Sequence, residues 1–427
     1  MRNEGYVVDV PYPLHFYKEM QPAWLNTVLT TLGCAAPDIT RSYTYCELGC
    51  GGGINLLVAA ACNPLGRFIG VDFNPLHIAK AREIQAQVGL KNVEFVEASF
   101  QDFARRDYGL FDYVACHGVW SWLPAHAKRE VLQVLHERLQ PEGVLYLQYM
   151  CYPAAARLIA LQKVLYEVSL ATGDNSAKSV VQGLQVLRQL ANAGAGLFID
   201  NPEIEKELSM LEKERPEYLA HDFLTEHWKP DHSVDMHRLL GQVGLSYVGS
   251  SNFWENMDTV SIPGAMQPLL ARVGSRSLKE TFRDVARNQS QRTDIYQKRP
   301  LALKGATHLE ALDSITFSAT GTMPSPGGQV FATPIGNVPG PEALLVPVMQ
   351  ALQQGVQSFK ALRALPVYSQ EPGLLLQTLG MLMWAGYVLP QRPESEPSAT
   401  VQQLQHWIDQ QQLPLVLDEA CGNAWRR

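Results

Sequence analysis

Glu47, Gly49, Gly51, Gly53 and Asp72 are the residues of this 427-residue chain whose types and spacing point most directly to chemistry. The first four lie in Tyr45-Cys46-Glu47-Leu48-Gly49-Cys50-Gly51-Gly52-Gly53, and Asp72 ends the next apolar run, Arg67-Phe68-Ile69-Gly70-Val71-Asp72. Glycines at alternate positions let backbone approach a ligand with no Cβ atoms in between. A carboxylate ending the second apolar run has the place of an acceptor for ribose hydroxyls. The pattern therefore asks for a nucleoside. It is not the dinucleotide pattern G-x-G-x-x-G, because the third glycine's place is taken by Ile54 or, one register on, by Leu56. No Lys-Ser/Thr pair closes the cluster, so it is not a triphosphate loop either.

The elements that must hold these residues follow from pattern. An apolar run, a glycine turn and a helix over Ile54 to Cys62, stopped by Asn63-Pro64, form the first unit of a doubly wound sheet. Strand two is predicted over Arg67 to Val71, a helix from Leu76 to Val88 before Gly89, strand three over Val93 to Val96, and strand four over Phe111 to Cys116. A helix from Pro124 to Leu139 and a fifth strand, Val144 to Tyr149, complete an alternation that implies a parallel sheet. Ligands in such sheets sit beyond the carboxyl ends of the strands, which places His117-Gly118-Val119-Trp120-Ser121-Trp122 at the pocket mouth. His117 is a candidate general base there, or a residue that only shapes the pocket wall.

Composition narrows the classes. The chain is 46% hydrophobic and 18% charged with a formal net charge of -7, a soluble globular profile without an overall basic field for nucleic acid. Its length implies two or three domains. No apolar run approaches a membrane span and the N-terminus lacks a signal-peptide stretch, so a cytoplasmic location is expected. Seven cysteines without a C-x-x-C pair argue against a disulfide framework and a thiolate zinc site. His221, His227, His232 and His237 are close in sequence, but no two stand at the i, i+4 spacing that puts imidazoles on one helix face, so no metal site is expected.

Boundaries are drawn at 1–151 for the nucleoside-binding domain, 152–231 for a helical insertion, 232–262 for a return to the sheet, 263–317 for a helical segment, 318–341 for a linker rich in Pro and Gly, and 342–427 for a small winged-helix-like domain. In 263–317 the basic residues Arg283, Arg287, Arg292, Lys298 and Arg299 alternate with Glu280, Asp284 and Asp294, which suggests a solvated face or a subunit contact. The would-be recognition helix of the tail, Leu374 to Ala385, holds no Lys or Arg, so no nucleic-acid partner is expected.

The motifs Pro11-Tyr12-Pro13, Tyr45 to Gly51, Val71-Asp72-Phe73-Asn74-Pro75, His117 to Trp122 and His221 to Trp228 resemble a bacterial family in which a class I S-adenosylmethionine methyltransferase domain precedes a methyltransferase regulatory domain. Members resemble protein lysine methyltransferases that modify an outer-membrane surface protein. The resemblance implies an α/β Rossmann-like sheet with a helical insertion and a smaller, mainly helical C-terminal domain. It implies S-adenosyl-L-methionine as cofactor, with S-adenosyl-L-homocysteine as product and no metal. It implies cofactor contacts from Glu47, Gly49, Gly51, Gly53, Asp72 and Phe73, with Ser99 and Phe100 standing where the family usually carries an acidic adenine contact, and His117 beside the methionine portion.

Methyl transfer from a sulfonium is an in-line displacement that needs alignment and a free lone pair on the acceptor. The expected acceptor is a protein lysine, whose ammonium is disfavoured in a dehydrated aromatic pocket. Tyr12, Phe16, Trp120, Trp122 and Tyr152 are the expected substrate walls, and His117, Trp120 and Tyr149 the candidate catalytic residues. Two alternatives stand beside this reading: O- or N-methylation of a small metabolite, and a regulatory protein that holds the cofactor without turnover. The insertion and tail are expected to supply a substrate groove and homodimer contacts.

Overall fold

The computed structural model describes residues 2–3, 5–333, 335–393 and 398–427. Seven strands form the central sheet: β1 Tyr43–Leu48, β2 Gly66–Asp72, β3 Val93–Glu97, β4 Phe111–Cys116, β5 Leu139–Met150, β6 Leu245–Ser250 and β7 Gln291–Lys298. Their order is β3-β2-β1-β4-β5-β7-β6, all parallel except β7, which runs antiparallel to both neighbours. The order in which successive strands are added reverses at β1 and β4, so the crevice for a ligand opens where β1 ends. In register, Glu47 lies opposite Gly70 of β2 and Ala115 of β4.

Strand alternation builds two cores. Tyr45, Phe68, Tyr113 and Tyr146 point to one face, covered by α1 Pro22–Thr31, α2 Ile54–Cys62 and α3 Pro75–Val88. Cys46, Val71, Val114, Leu147 and Tyr149 point to the other, covered by α4 Phe100–Arg105, α5 Ala125–Arg138 and α11 Ser233–Gly241. The helix ends follow their local chemistry. Asn74 caps α3 by accepting from the Leu76 amide at 3.0 Å, proline follows it, and Gly89 ends the helix in the left-handed region.

Beyond β5 the chain leaves the sheet at Cys151 and returns at Asp231, where the Tyr152 amide donates to the Asp231 carbonyl and the Asp231 amide to that of Met150. Between them lie α6 Ile159–Thr172, α7 Ser176–Asn192, α8 Gly196–Asp200, α9 Pro202–Leu211 and α10 Pro216–Phe223. Leu161, Leu165, Val180, Leu187, Leu208 and Leu219 give these helices a core of their own, which also takes in Val7 and Val10 of the N-terminal segment.

Three expectations are corrected here. Residues 263–317 are not a helical segment throughout: after the helix Arg276–Arg287 the chain enters the sheet as β7. Its sequence, Gln-Arg-Thr-Asp-Ile-Tyr-Gln-Lys, hides a central strand because its charges are neutralised inside the protein. The basic residues there are likewise no solvated face as a group. Arg292 is 2% exposed, and its guanidinium meets Asp294 at 2.9 Å, Glu280 at 2.9 Å and Asp284 as well. Arg287 is also buried, donating to the Glu255 carbonyl and the Ser261 hydroxyl. The 318–341 stretch is more than a linker: Thr316–Ala319 pairs with Gln357–Ser358 and Val388–Pro390, and Gln329–Thr333 forms a hairpin with Gly336–Gly340.

The C-terminal region holds the helices Glu342–Gln353, Pro372–Trp384 and Ala399–Gln410, and it shares the core of the sheet's first face. Trp384 lies 5.8 Å from Trp254, and Asn423 donates to the Lys18 carbonyl at 3.1 Å. No helix among the described residues is long and apolar enough to cross a membrane.

Candidate functional site

The turn after β1 is fixed by its own amides. Those of Gly49 and Cys50 donate to the Val71 carbonyl at 2.7 and 3.0 Å, and that of Gly51 donates to Asp72 Oδ2 at 2.9 Å. Gly49 has φ +75°, and a Cβ there would lie 2.3 Å from Val119, so both conformation and space exclude a side chain. Gly51, at φ +53°, is different: a Cβ would meet nothing within 4 Å, because that edge of the turn faces an open cavity.

Glu47, Gly49, Gly51, Gly53, Asp72, Phe73, Ser99, Phe100 and His117 all line this one cavity. Glu47 is 2% exposed and its Oε2 has no hydrogen-bond partner. Burial pushes its carboxyl up to about 8, with the Asp72 charge adding to the shift and Asn55 opposing it. Asp72 Oδ1 accepts from the Asn74 amide at 2.8 Å, and Nδ1 of buried His77 stands 3.4 Å from Oδ2. Ser99 caps α4, accepting from the Asp102 amide at 3.1 Å and donating its proton to the Asp102 carboxylate at 2.9 Å. Its proton is thereby committed, which leaves one lone pair of the oxygen as an acceptor.

His117 leaves β4 into the cavity, with Nδ1 2.7 Å from the Tyr146 hydroxyl and its ring 3.7 Å from that of Tyr17. Burial lowers its pKa to about 3, so the ring is neutral at physiological pH and a weak base.

Residues 39–233 match the model of a methyltransferase domain, and residues 215–298 that of a methyltransferase regulatory domain. The chain is a class I S-adenosylmethionine-dependent methyltransferase. An uncharacterized protein of Synechocystis sp. is 29% identical over 354 residues, which are 83% of this methyltransferase and 70% of that protein. An uncharacterized protein of Rickettsia prowazekii is 28% identical over 289 residues, and the match spans only 51% of its length. PKMT2 from Rickettsia typhi, solved in complex with AdoHcy, aligns over 89% of this chain and 77% of its own with a TM-score of 0.67 and 19% identity, a likeness of fold. The regulatory-domain match is no separate body in the methyltransferase, since it contains β6 and β7 of the central sheet.

The cavity fits the cofactor. The unpartnered Glu47 oxygen suits an ammonium, the Asp72 carboxylate suits ribose hydroxyls, and the open edge at Gly51 leaves room for the chain between them. When bound, S-adenosylmethionine supplies a methyl group made electrophilic by its sulfonium.

On the acceptor side the structure divides the expected residues. Tyr12 and Trp122 line the cavity, and Phe16, Trp120, Tyr149 and Tyr152 do not. Phe16 turns into the core between two cavity-facing neighbours, His15 and Tyr17. Trp120 is 1% exposed, donates to Asp231 at 3.1 Å and carries the Lys128 ammonium 5.0 Å above its ring. Tyr149 points to the opposite sheet face from Tyr146, and its hydroxyl donates to Asp294 at 2.7 Å inside the buried charge network. Tyr152 packs against His232 at 4.6 Å. Phe16, Trp120, Tyr149 and Tyr152 therefore pack away from this cavity.

Their places are taken by residues that the motifs did not single out. Tyr6 and Tyr17 line the cavity, and the segment from Tyr6 to Tyr17 covers it, held where the His221 ring packs 5.6 Å from Tyr6 and 5.2 Å from Tyr12 and its Nε2 donates to the Val10 carbonyl at 2.9 Å. His15 packs against Tyr12 and Tyr218. Three of the four clustered histidines part company: His221 supports this cover, His232 packs against Tyr152, His237 stacks on Tyr247 at 4.2 Å, and among the described residues no three His, Cys, Asp or Glu side chains gather as ligands.

Proposed function

We propose that this methyltransferase acts on lysine ε-amino groups of a protein. The observation that carries the reading is the charge of the walls. Apart from histidines and Cys50, the ionisable residues lining the cavity are Glu47, Asp72, Glu130 and tyrosines, with no Lys or Arg among the described residues, and Tyr6, Tyr12, Tyr17 and Trp122 supply the aromatic faces. With Glu47 and Asp72 given to the cofactor, Glu130 and the aromatic faces favour a cationic amine as acceptor. They also serve both ends of the reaction. An ammonium with an ordinary pKa of about 10.4 loses its proton more readily where water is excluded, and aromatic faces hold the methylated cation that forms. The motif resemblance to protein lysine methyltransferases and the PKMT2-like fold support the same acceptor.

The residues divide the work. Glu47 and Asp72 hold the cofactor at its amino and ribose ends, so the methyl group is presented from a fixed position. His117, neutral and bonded to Tyr146, forms the wall on which Tyr17 stacks. The covering segment excludes water. Incubation with methyl-labelled S-adenosylmethionine and a bacterial extract, divided into protein and small-molecule fractions, tests the reading. Label is expected on protein and is expected to vanish when the extract's lysines are first blocked by acetylation. Label confined to small molecules would overturn it.

A further inference from the structure

A second cavity lies beyond Trp122, which is a wall of both. Met150, Leu158, Met210, Leu211, Phe223 and Trp228 make most of its surface apolar, and the polar groups among them include Asp222 and Glu214, again without Lys or Arg. Asp222 lines the second cavity beside the shared Trp122. Its backbone carbonyl accepts from Trp122 Nε1 at 2.9 Å, its carboxylate accepts from the Tyr218 hydroxyl, and its charge is felt by Tyr6, Tyr12 and Tyr17 on the cofactor side. An apolar trough ending in a carboxylate ringed by aromatic rings matches a lysine side chain, with its aliphatic stem and charged tip.

Resting on the lysine reading above, we propose that the acceptor lysine enters along this second cavity past Trp228 and Met210, and that Asp222 is the catalytic carboxylate that binds its ammonium and takes one proton from it. The N–H bond breaks, the proton passes to an Asp222 oxygen, and nitrogen keeps the electron pair. That pair forms the N–CH3 bond as the C–S bond breaks, its electrons going to sulfur to give the neutral thioether. Nitrogen leaves as a methylammonium, and Asp222 returns its proton to water.

The groups acting on Asp222 fit this role. Its charge acts on Tyr6, Tyr12 and Tyr17 of the covering segment, Tyr218 of its own helix α10 donates a hydrogen bond to it, and Glu214 before that helix adds a like charge. Desolvation is the largest influence on its pKa, the Tyr218 hydrogen bond opposes it and the Glu214 charge adds to it, for a net rise to about 7, so the carboxylate is ionised above neutrality yet basic enough to accept a proton.

The test uses the full chain, methyl-labelled S-adenosylmethionine and poly-L-lysine as probe. Asp222→Asn is expected to lower kcat on the order of 100-fold, to keep cofactor affinity unchanged, and to remove the fall in rate that the native protein shows as pH drops through about 7. Met210→Trp, at an exposed rim position, is expected to raise KM for poly-L-lysine about tenfold without altering cofactor affinity, and it decides the entry route even if the Asn variant folds poorly. If both variants keep native kcat, KM and pH profile while the native protein methylates poly-L-lysine, the proposal is overturned and the lysine reading stands. If the native protein labels only small molecules, the lysine reading falls and takes this proposal with it.

Discussion

The cofactor half and the acceptor half of the site are built in different ways. Glu47, Gly49, Gly51, Gly53 and Asp72 come from two adjacent parallel strands and the turn between β1 and α2, so one short stretch of sequence and the sheet register fix them all. The proposed acceptor half draws on Tyr6, Tyr12 and Tyr17 of the N-terminal segment, Trp122 after β4, and Tyr218 and Asp222 of an inserted helix, brought together by long-range packing. Spacing within a motif constrains the first half strongly and the second hardly at all. The fixed half is also the one that serves any acceptor, whereas the assembled half is where a methyltransferase of this fold acquires its substrate.

The largest effect that would separate the halves belongs to Asp222→Asn, described above, which should damage turnover and leave cofactor binding intact. Its mirror image is Asp72→Ala. That change removes the acceptor for the Gly51 and Asn74 amides as well as for the ribose, and charge-assisted hydrogen bonds are worth about 1.5–3 kcal/mol each. Cofactor affinity measured by calorimetry should fall on the order of 100-fold, and unchanged affinity would remove Asp72 from the site.

Next in size is a pH effect confined to the cofactor half. With its carboxyl raised to about 8 before ligand arrives, Glu47 must lose its proton to receive a cationic amino group. Affinity for the cofactor should therefore rise from pH 6 to pH 8, by at most about tenfold per pH unit, and then level off. Glu47→Gln should bind weakly with a flat profile, and a native profile that is flat as well would show that Glu47 does not meet the cation.

Smaller still is the expected effect of His117→Gln. A neutral histidine with a pKa near 3, already bonded to Tyr146, contributes shape, so kcat should drop less than about tenfold, against the 10²–10⁴-fold attributed to a working general base. A fall as deep as that of Asp222→Asn would move the base to the sheet side of the pocket. Tyr149→Phe comes last. It should cost about 1.5–3 kcal/mol in urea-induced unfolding by depriving buried Asp294 of a hydrogen bond, with kcat and KM unchanged.

Much of the fold was legible because its strands and helices are local patterns: predicted strands two to four and the helices Ile54 to Cys62 and Leu76 to Val88 fall within a residue of the observed elements, whereas the short α4 was not foreseen. β7 was not, since its hydrophobic signal is replaced by Arg292 and Asp294, whose burial only the partners Glu280, Asp284 and Tyr149 make tolerable. In the site, residue type alone misassigned Trp120 and Trp122 as equals. The turn between them sends Trp122 to the cavities and Trp120 to Asp231, a difference no spacing rule contains. Tyr149 was misplaced for a simpler reason, because counting alternation from Tyr146 would have put it on the far face. Asp222 had a signal that went unused: it sits in Tyr218-Leu219-Ala220-His221-Asp222, a segment picked out for its histidines, yet its acid one residue on is the group facing the second cavity.

The central claim is tested most directly by mapping where the methyl group goes. After reaction of the full chain with methyl-labelled S-adenosylmethionine and bacterial extract, labelled proteins would be digested and the modified residue located by mass spectrometry. Methyl groups on lysine side chains are the expected result. Methyl groups found only on carboxylate, hydroxyl or small-molecule acceptors would contradict the assignment and return the aromatic and acidic walls to a purely cofactor-binding role.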